Sequence, residues 1–257
     1  MEIKRIKITN LDGKNIVAAV HYPEVDKNYL AILCPGNLDS KDYNHLIKLA
    51  EAFAAEGYTV ARFDPIGTWE SDGTDADYSV TQYLQDIKTV LDFMSAQKSF
   101  NKTLLGGHSR GGEVSILYAA QDSRVSMVLP IMPPTPISDE ELQEDKFMNW
   151  KKNGFNISVR DVPDSDVTKS YKLPYSHMVD RLKYHTIDAV RKIHAPIIFV
   201  AGELDVICTP EEVKIIFDNA AEPKKYLLIR GVGHDYRHNL SQIDLVNGRI
   251  INALKAI

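Results

Sequence analysis

The segment that most constrains the fold is Gly107-His108-Ser109-Arg110-Gly111. It follows the apolar run Thr103-Leu104-Leu105 and leads into a helical pattern from Glu113 to Ala120. A strand that enters a helix through so few residues must turn sharply. Ordinary side chains do not fit on both flanks of such a turn, so glycines are needed there. The turn holds the Ser109 hydroxyl up at the end of the strand. It also leaves the first N–H groups of the helix without intrahelical partners, free to face a developing negative charge.

Two later segments supply the groups that a serine nucleophile needs. Ala201-Gly202-Glu203-Leu204-Asp205 closes an apolar strand with a carboxylate, and Gly231-Val232-Gly233-His234-Asp235 follows another strand with an imidazole. The chain around them alternates regularly. Ile3, Ile6 and Ile8, the turn Asn10-Leu11-Asp12-Gly13, and Ile16 to Tyr22 predict an antiparallel hairpin. Apolar strands are then expected at Tyr29–Cys34, Thr59–Phe63, Val125–Met132, Ile197–Ala201 and Tyr226–Ile229. Between them, Leu46, Leu49, Ala50 and Phe53 have helical spacing, as do Val80 to Met94, Glu211 to Asn219 and Ile243 to Leu254. Uninterrupted apolar strands alternating with amphipathic helices imply a mostly parallel sheet with helices on both faces.

One stretch breaks this rhythm. Pro133-Pro134-Thr135-Pro136 ends the strand at Met132, and helix-like pieces follow around Leu142 to Lys152 and Ser176 to Arg191. No second sheet is evident there. The expectation is a core domain of residues 1–132 and 193–257 with an inserted cap at 133–192, at the end of the sheet where ligands bind.

The 257 residues carry a formal net charge of -5 without a basic stripe, which argues against a nucleic-acid partner. No apolar run is long enough to span a bilayer. Met1-Glu2-Ile3-Lys4-Arg5 lacks a signal-peptide core, so a cytoplasmic location is expected. Cys34 and Cys208 read as buried small hydrophobes, since two cysteines make no disulfide framework. The carboxylates Asp64 and Asp72 have no His or Cys cluster near them, so no metal and no cofactor are expected.

Cys34-Pro35-Gly36-Asn37, the run Ala61 to Gly73, the Ser109 turn, the Asp205 strand end and Gly233-His234-Asp235 together resemble the α/β-hydrolase superfamily. Within it, the chain is most similar to small capped serine esterases of the cinnamoyl/feruloyl-esterase-like group and to their acyl-peptidase-like relatives. The resemblance spans nearly the whole chain apart from the cap. It implies the α/β-hydrolase fold, and the chain order Ser, Asp, His is that of the superfamily. Ser109 is then the nucleophile and His234 the base that activates it. Asp205 orients the imidazole and stabilises its cation. Glu203 and Asp235 are rival acids and His238 a rival base, but the resemblance places the acid at Asp205, and Asp235 adjoins His234 too closely to orient its ring.

The same resemblance puts the two oxyanion donors at the backbone N–H groups of Asn37 and Arg110. Many relatives carry His-Gly where this chain has Pro35-Gly36, so a side chain that usually braces this loop is missing. Arg110 also offers a side chain for a carboxylate, although its backbone N–H is the assignment the motif carries. Trp69, Trp150, Tyr171 and Tyr175 are the expected substrate-binding residues, lining a pocket for an apolar or aromatic acid. His108 reads as a packing residue, and His177 and His185 as solvent-facing. The implied function is a serine esterase that cleaves a small or medium carboxylic ester through an acyl-enzyme. The alternatives are the same triad acting on thioesters or amides or in acyl transfer, and a non-catalytic member of the fold that binds a small ligand.

Overall fold

In a computed structural model, which describes residues 1–256, the opening hairpin pairs β1 (Glu2–Thr9) with β2 (Asn15–Tyr22) in antiparallel register. Its turn needs the left-handed conformation at Gly13, where φ is 77°. The chain then runs through β3 (Tyr29–Cys34), α1 (Asn44–Ala55), β4 (Tyr58–Phe63), α2 (Val80–Gln97), β5 (Lys102–His108), α3 (Arg110–Ala119) and β6 (Met127–Ile131). After the excursion at 133–192 come β9 (Ile197–Gly202), α7 (Pro210–Asn219), β10 (Lys224–Ile229) and α8 (Leu240–Leu254).

The sheet order is β1-β2-β4-β3-β5-β6-β9-β10. β2 runs antiparallel to both neighbours, and every pairing from β4 to β10 is parallel. Every residue of β4 and β9 is buried, as expected when helices cover both faces. α1 and α8 cover one face, with Leu46, Leu49, Phe53, Ile243, Val246 and Ile250 on Leu33, Val60 and Ile198. α2, α3 and α7 cover the other, packing Ile87, Val90, Val114, Ile116 and Val213 on Ile32, Leu105 and Phe199. Burying each such side chain contributes roughly 1.5–3 kcal/mol. The strand order reverses between β3 and β5, which opens a crevice at their carboxyl ends.

Residues 133–192 contain more than the expected helical pieces. α4 (Asp145–Asn153), α5 (Tyr175–Arg181) and α6 (Thr186–Val190) are present, but between α4 and α5 lies a second sheet. It is a hairpin of β7 (Phe155–Asp161) and β8 (Thr168–Pro174), antiparallel from Phe155↔Pro174 to Asp161↔Thr168. Its signal was the period-two alternation of Phe155, Ile157 and Val159 before the turn at Pro163-Asp164-Ser165. These three apolar side chains face solvent, 36%, 52% and 51% exposed, so the alternation marks no core face of the usual kind. The hairpin is anchored by its other strand, through buried Tyr171 and Leu173.

Candidate active site

The sharp turn after β5 carries Ser109 at φ 54° and ψ -119°, a strained conformation for a residue with a Cβ. Its N–H donates to the Ile131 carbonyl at 2.8 Å, and Glu113 N–H donates to its carbonyl at 3.0 Å, so strand and helix both hold it. The flanking glycines permit a very close approach. A Cβ at Gly107 would lie 2.2 Å from the Cys34 carbonyl oxygen, and one at Gly111 would lie 2.0 Å from the same atom. The turn is thereby pressed against the end of β3, where the Asn37 loop begins.

His234 lies on the loop after β10 and Asp205 on the loop after β9. Asp205 Oδ2 accepts a hydrogen bond from His234 Nδ1 at 2.7 Å, and Ser109 Oγ lies 3.0 Å from His234 Nε2. Oδ1 of Asp205 accepts the N–H groups of Ile207 and Cys208, both at 2.8 Å, which fixes the carboxylate plane. The Asp205 side chain is fully buried and that of His234 is 10% exposed, so little of the pair meets solvent. The rivals are engaged elsewhere. Glu203 accepts from Gly231 N–H at 2.9 Å. Asp235 points outward, and exposed His238 sits 3.6 Å from Asp161.

Beneath His234 lies a layer of aromatic rings. The His108 ring is 4.6 Å from that of His234, and His45 and Tyr236 pack edge-on against His108, each at 5.3 Å. Burial pushes His45 down to about 3 and holds His108 well below the usual imidazole value. Both are therefore uncharged at neutral pH and do not oppose a proton on His234. With Asp39 they form a three-group cluster whose potential ligand atoms lie within 4.8 Å of one another. The sequence hides this cluster because its members come from α1, the end of β5 and the loop after β3. Asp39 already accepts from Arg237 Nη1 at 2.9 Å and has Arg160 Nε at 3.7 Å. A divalent ion there would face two guanidinium groups, so the donor set does not suit a metal.

Asn37 and Arg110 both border the cavity that opens above Ser109. The Asn37 loop lacks the histidine brace of many relatives but is held by other groups. Tyr78 hydroxyl lies 3.4 Å from both Asn37 Oδ1 and Leu38 N. The Trp69 indole N–H donates to the Leu38 carbonyl at 2.9 Å. Arg160, from β7, forks onto the Asn37 carbonyl through Nε at 3.1 Å and Nη2 at 3.0 Å. Asp39 folds back so tightly that a Cβ at Gly36 would meet its Oδ2 at 2.5 Å.

The cavity has a volume of about 430 Å³. Trp69, Trp150, Tyr171 and Tyr175 are not among its lining residues, contrary to expectation. They hold the excursion together and, through Tyr171 and Trp69, to the core instead. Trp150 donates from its indole to the Leu173 carbonyl at 3.1 Å and stacks on His177, and Tyr171 hydroxyl accepts Trp69 N–H at 3.1 Å. Tyr175 N–H donates to the Gly154 carbonyl at 2.8 Å. His177 is 4% exposed rather than solvent-facing, its Nδ1 2.9 Å from the Tyr78 carbonyl, whereas His185 is exposed. The walls instead bring in Arg160, Arg181, Arg237 and Glu141 beside Ile137 and Phe147. Phe147 is the aromatic side chain of the excursion that borders the cavity. The arginines carried no sequence signal, because each enters from a separate element.

Comparison with known proteins agrees with the fold. A family model described as serine aminopeptidase, S33, matches residues 30–153, from β3 through α4. The chain is 24% identical over 248 residues to a 31.7 kDa Escherichia coli protein of the traX-finO intergenic region, covering 84% of this chain and 86% of that protein. It is 23% identical over 261 residues to the polyketide transferase GrgF of Penicillium sp, covering 89% and 88%. Among solved structures, Est1E of Butyrivibrio proteoclasticus with bound ferulic acid superposes with a TM-score of 0.78 at 20% identity, covering 98% of each chain. DcsB in complex with a substrate analogue superposes with a TM-score of 0.82 at 19% identity, covering 99% of this chain and 98% of that one. The sheet order, the turn at Ser109, the inserted excursion and these likenesses agree, and the chain has the α/β-hydrolase fold.

Proposed function

We propose that the protein is a serine hydrolase that cleaves a small or medium carboxylic ester through an acyl-enzyme. The observation that carries this proposal is the unbroken contact series Asp205–His234–Ser109 at the floor of a cavity, with 2.7 Å and 3.0 Å separations. His234 Nε2 takes the hydroxyl proton as Ser109 Oγ attacks the ester carbonyl. Charge on the tetrahedral oxygen is received by the N–H groups of Arg110 and Asn37. The imidazolium, held by Asp205, returns the proton to the departing alkoxide. Water then repeats the sequence on the acyl-enzyme and releases the acid.

Residues 133–192 act in this proposal as a lid. Their Arg160, Arg181, Ile137 and Phe147 border the cavity while contributing nothing to the triad. A lid of this kind excludes water and selects substrate groups remote from the carbonyl. Acyl transfer to an acceptor other than water is the second reading, favoured by the polyketide transferase among the relatives. The test is fluorophosphonate labelling followed by a panel of chromogenic esters and thioesters. Covalent labelling at Ser109 and ester turnover that disappears in Ser109→Ala are expected. A folded protein that neither labels nor turns over any ester would overturn the assignment. Turnover that appears only when an alcohol or amine acceptor is added would favour the transferase.

A further inference from the structure

Two guanidinium groups near Ser109, one buried and one mostly so, share one carboxylate. Arg110 directly follows the nucleophile, and its side chain is 7% exposed. Its Nη1 donates to Glu113, but its Nε has no partner among the described residues. Arg181, at the end of α5, borders the same cavity with its side chain 17% exposed. Its ion-pair partner is again Glu113, and that contact is 3.8 Å, too long for a hydrogen bond. The two arginines and Glu113 thus leave one positive charge in the wall.

The other charged groups of the cavity are already engaged. Glu212 accepts the N–H of Thr209 at 2.7 Å and its hydroxyl at 3.1 Å, capping α7. Glu141 accepts Ser138 N–H at 2.8 Å. Arg237 sits on Asp39, and Arg160 on Asp39 and the Asn37 carbonyl. Arg181 therefore differs from its neighbours in having donors free. Burial and the nearby Arg110 hold its guanidinium down to about 10, which marks a cation short of compensation. Donors that meet only a narrow opening to solvent gain from an acceptor that carries charge. A guanidinium's planar fork matches a carboxylate in both charge and shape.

We propose that Arg181, together with Arg110, binds a carboxylate of the substrate, so that the ester cleaved bears a free carboxylate group. This rests on the assignment of Ser109 as nucleophile. The carboxylate belongs to the acyl part, as in a monoester of a dicarboxylic acid, or to the alcohol part, and two substrate pairs separate these cases. For the acyl side, mono(4-nitrophenyl) glutarate is compared with 4-nitrophenyl valerate, which release the same chromophore. For the alcohol side, 3-carboxyphenyl butyrate is compared with phenyl butyrate.

The readout is the ratio of kcat/KM within a pair. The wild type is expected to favour the carboxylate ester at least tenfold in one pair. Arg181→Met should lower that ratio by roughly 10–100-fold, the effect of removing a charged hydrogen bond, and Arg181→Lys should restore part of it. A preference for the neutral ester in both pairs, or an unchanged ratio in folded Arg181→Met, would overturn the proposal. If that variant does not fold, the wild type supplies the test. Glutarate should protect Ser109 from a fluorophosphonate, and neutral glutaramide at equal concentration should not. Equal protection by both, or none, overturns it. Failure of Ser109 to label at all would instead remove the hydrolase assignment, so the two failures are distinct.

Discussion

Replacing Gly111 by alanine tests the idea that the turn and the Asn37 loop form one mechanical unit. The new Cβ would lie 2.0 Å from the Cys34 carbonyl oxygen, 2.7 Å from its carbonyl carbon and 2.8 Å from the Pro35 oxygen. Carbon and oxygen in contact sit at about 3.2–3.5 Å, so backbone must separate by about 1 Å. Both colliding elements are backbone and cannot rotate away. Overpacking of this kind costs about 1–3 kcal/mol, or about 2–12 °C in Tm for a domain of this size. The catalytic effect should exceed the stability effect. Pro35 lies two residues before Asn37, so the movement that relieves the clash separates the Asn37 N–H from the Arg110 N–H. A displacement near 1 Å in such a site costs on the order of 10²-fold in rate. The assay is kcat/KM on the best chromogenic ester beside the Tm from calorimetry. A variant with wild-type Tm and wild-type kcat/KM would refute the mechanical coupling. A large Tm loss with unchanged kcat/KM would show that the loop and the turn move independently.

Ser109→Ala should remove on the order of 10⁴-fold or more of turnover while far-ultraviolet circular dichroism stays unchanged; a folded variant that turns over esters at the parental rate would displace Ser109 from its role. Arg160→Ala removes the fork on the Asn37 carbonyl. It should lower kcat more than it raises KM, with partial recovery in Arg160→Lys, whereas a pure KM effect would make Arg160 a binding group only. Acidification should unfold the protein steeply. His21 and His177 are held down to about 4 and His45 to about 3, chiefly by burial, while unfolded histidine titrates near 6.5. These depressed values, with that of His108, mean that stability is fully present above pH 6.5 and is lost as pH falls toward about 4, because the unfolded chain binds up to four more protons. Buried Asp86, pushed up to about 7, and buried Asp39 and Asp64, also raised by burial, work in the opposite direction. Four histidines against three carboxyls leave the balance on the side of destabilisation by acid. Calorimetry between pH 7 and 4.5 reads this directly, and a Tm flat across that range would contradict the buried neutral histidines.

Much of the fold is legible along the chain because the signals are local. Tyr29–Cys34 and Ile197–Ala201 read as doubly covered strands since every side chain in them is apolar, and β3 and β9 run over those residues. The hairpin β7–β8 escaped because its apolar strand face is turned to solvent, so burial and alternation, normally coupled, point in different directions. The four aromatics chosen to line the cavity show the limit of residue type as a guide. Trp150 and Tyr171 have polar tips that find partners inside the molecule, Leu173 and Trp69, and their rings bury against the core rather than face a ligand.

What the sequence by itself determined is the local covalent logic of the site. A serine between glycines, after a strand and before a helix, can adopt its strained turn only if the flanks lack Cβ atoms, and that requirement is written in Gly107 and Gly111. Tertiary structure decided which titratable groups meet. Glu203, Asp205 and Asp235 are all near in sequence to a strand end or to His234, and only the packing of β9 beside β10 sets Asp205 at 2.7 Å from the imidazole. It likewise gathered Arg110, Arg160, Arg181 and Arg237 around one cavity from α3, β7, α5 and the loop before α8. Charges converging from distant segments leave no periodicity or spacing to read, because their proximity is created only when the core between them closes.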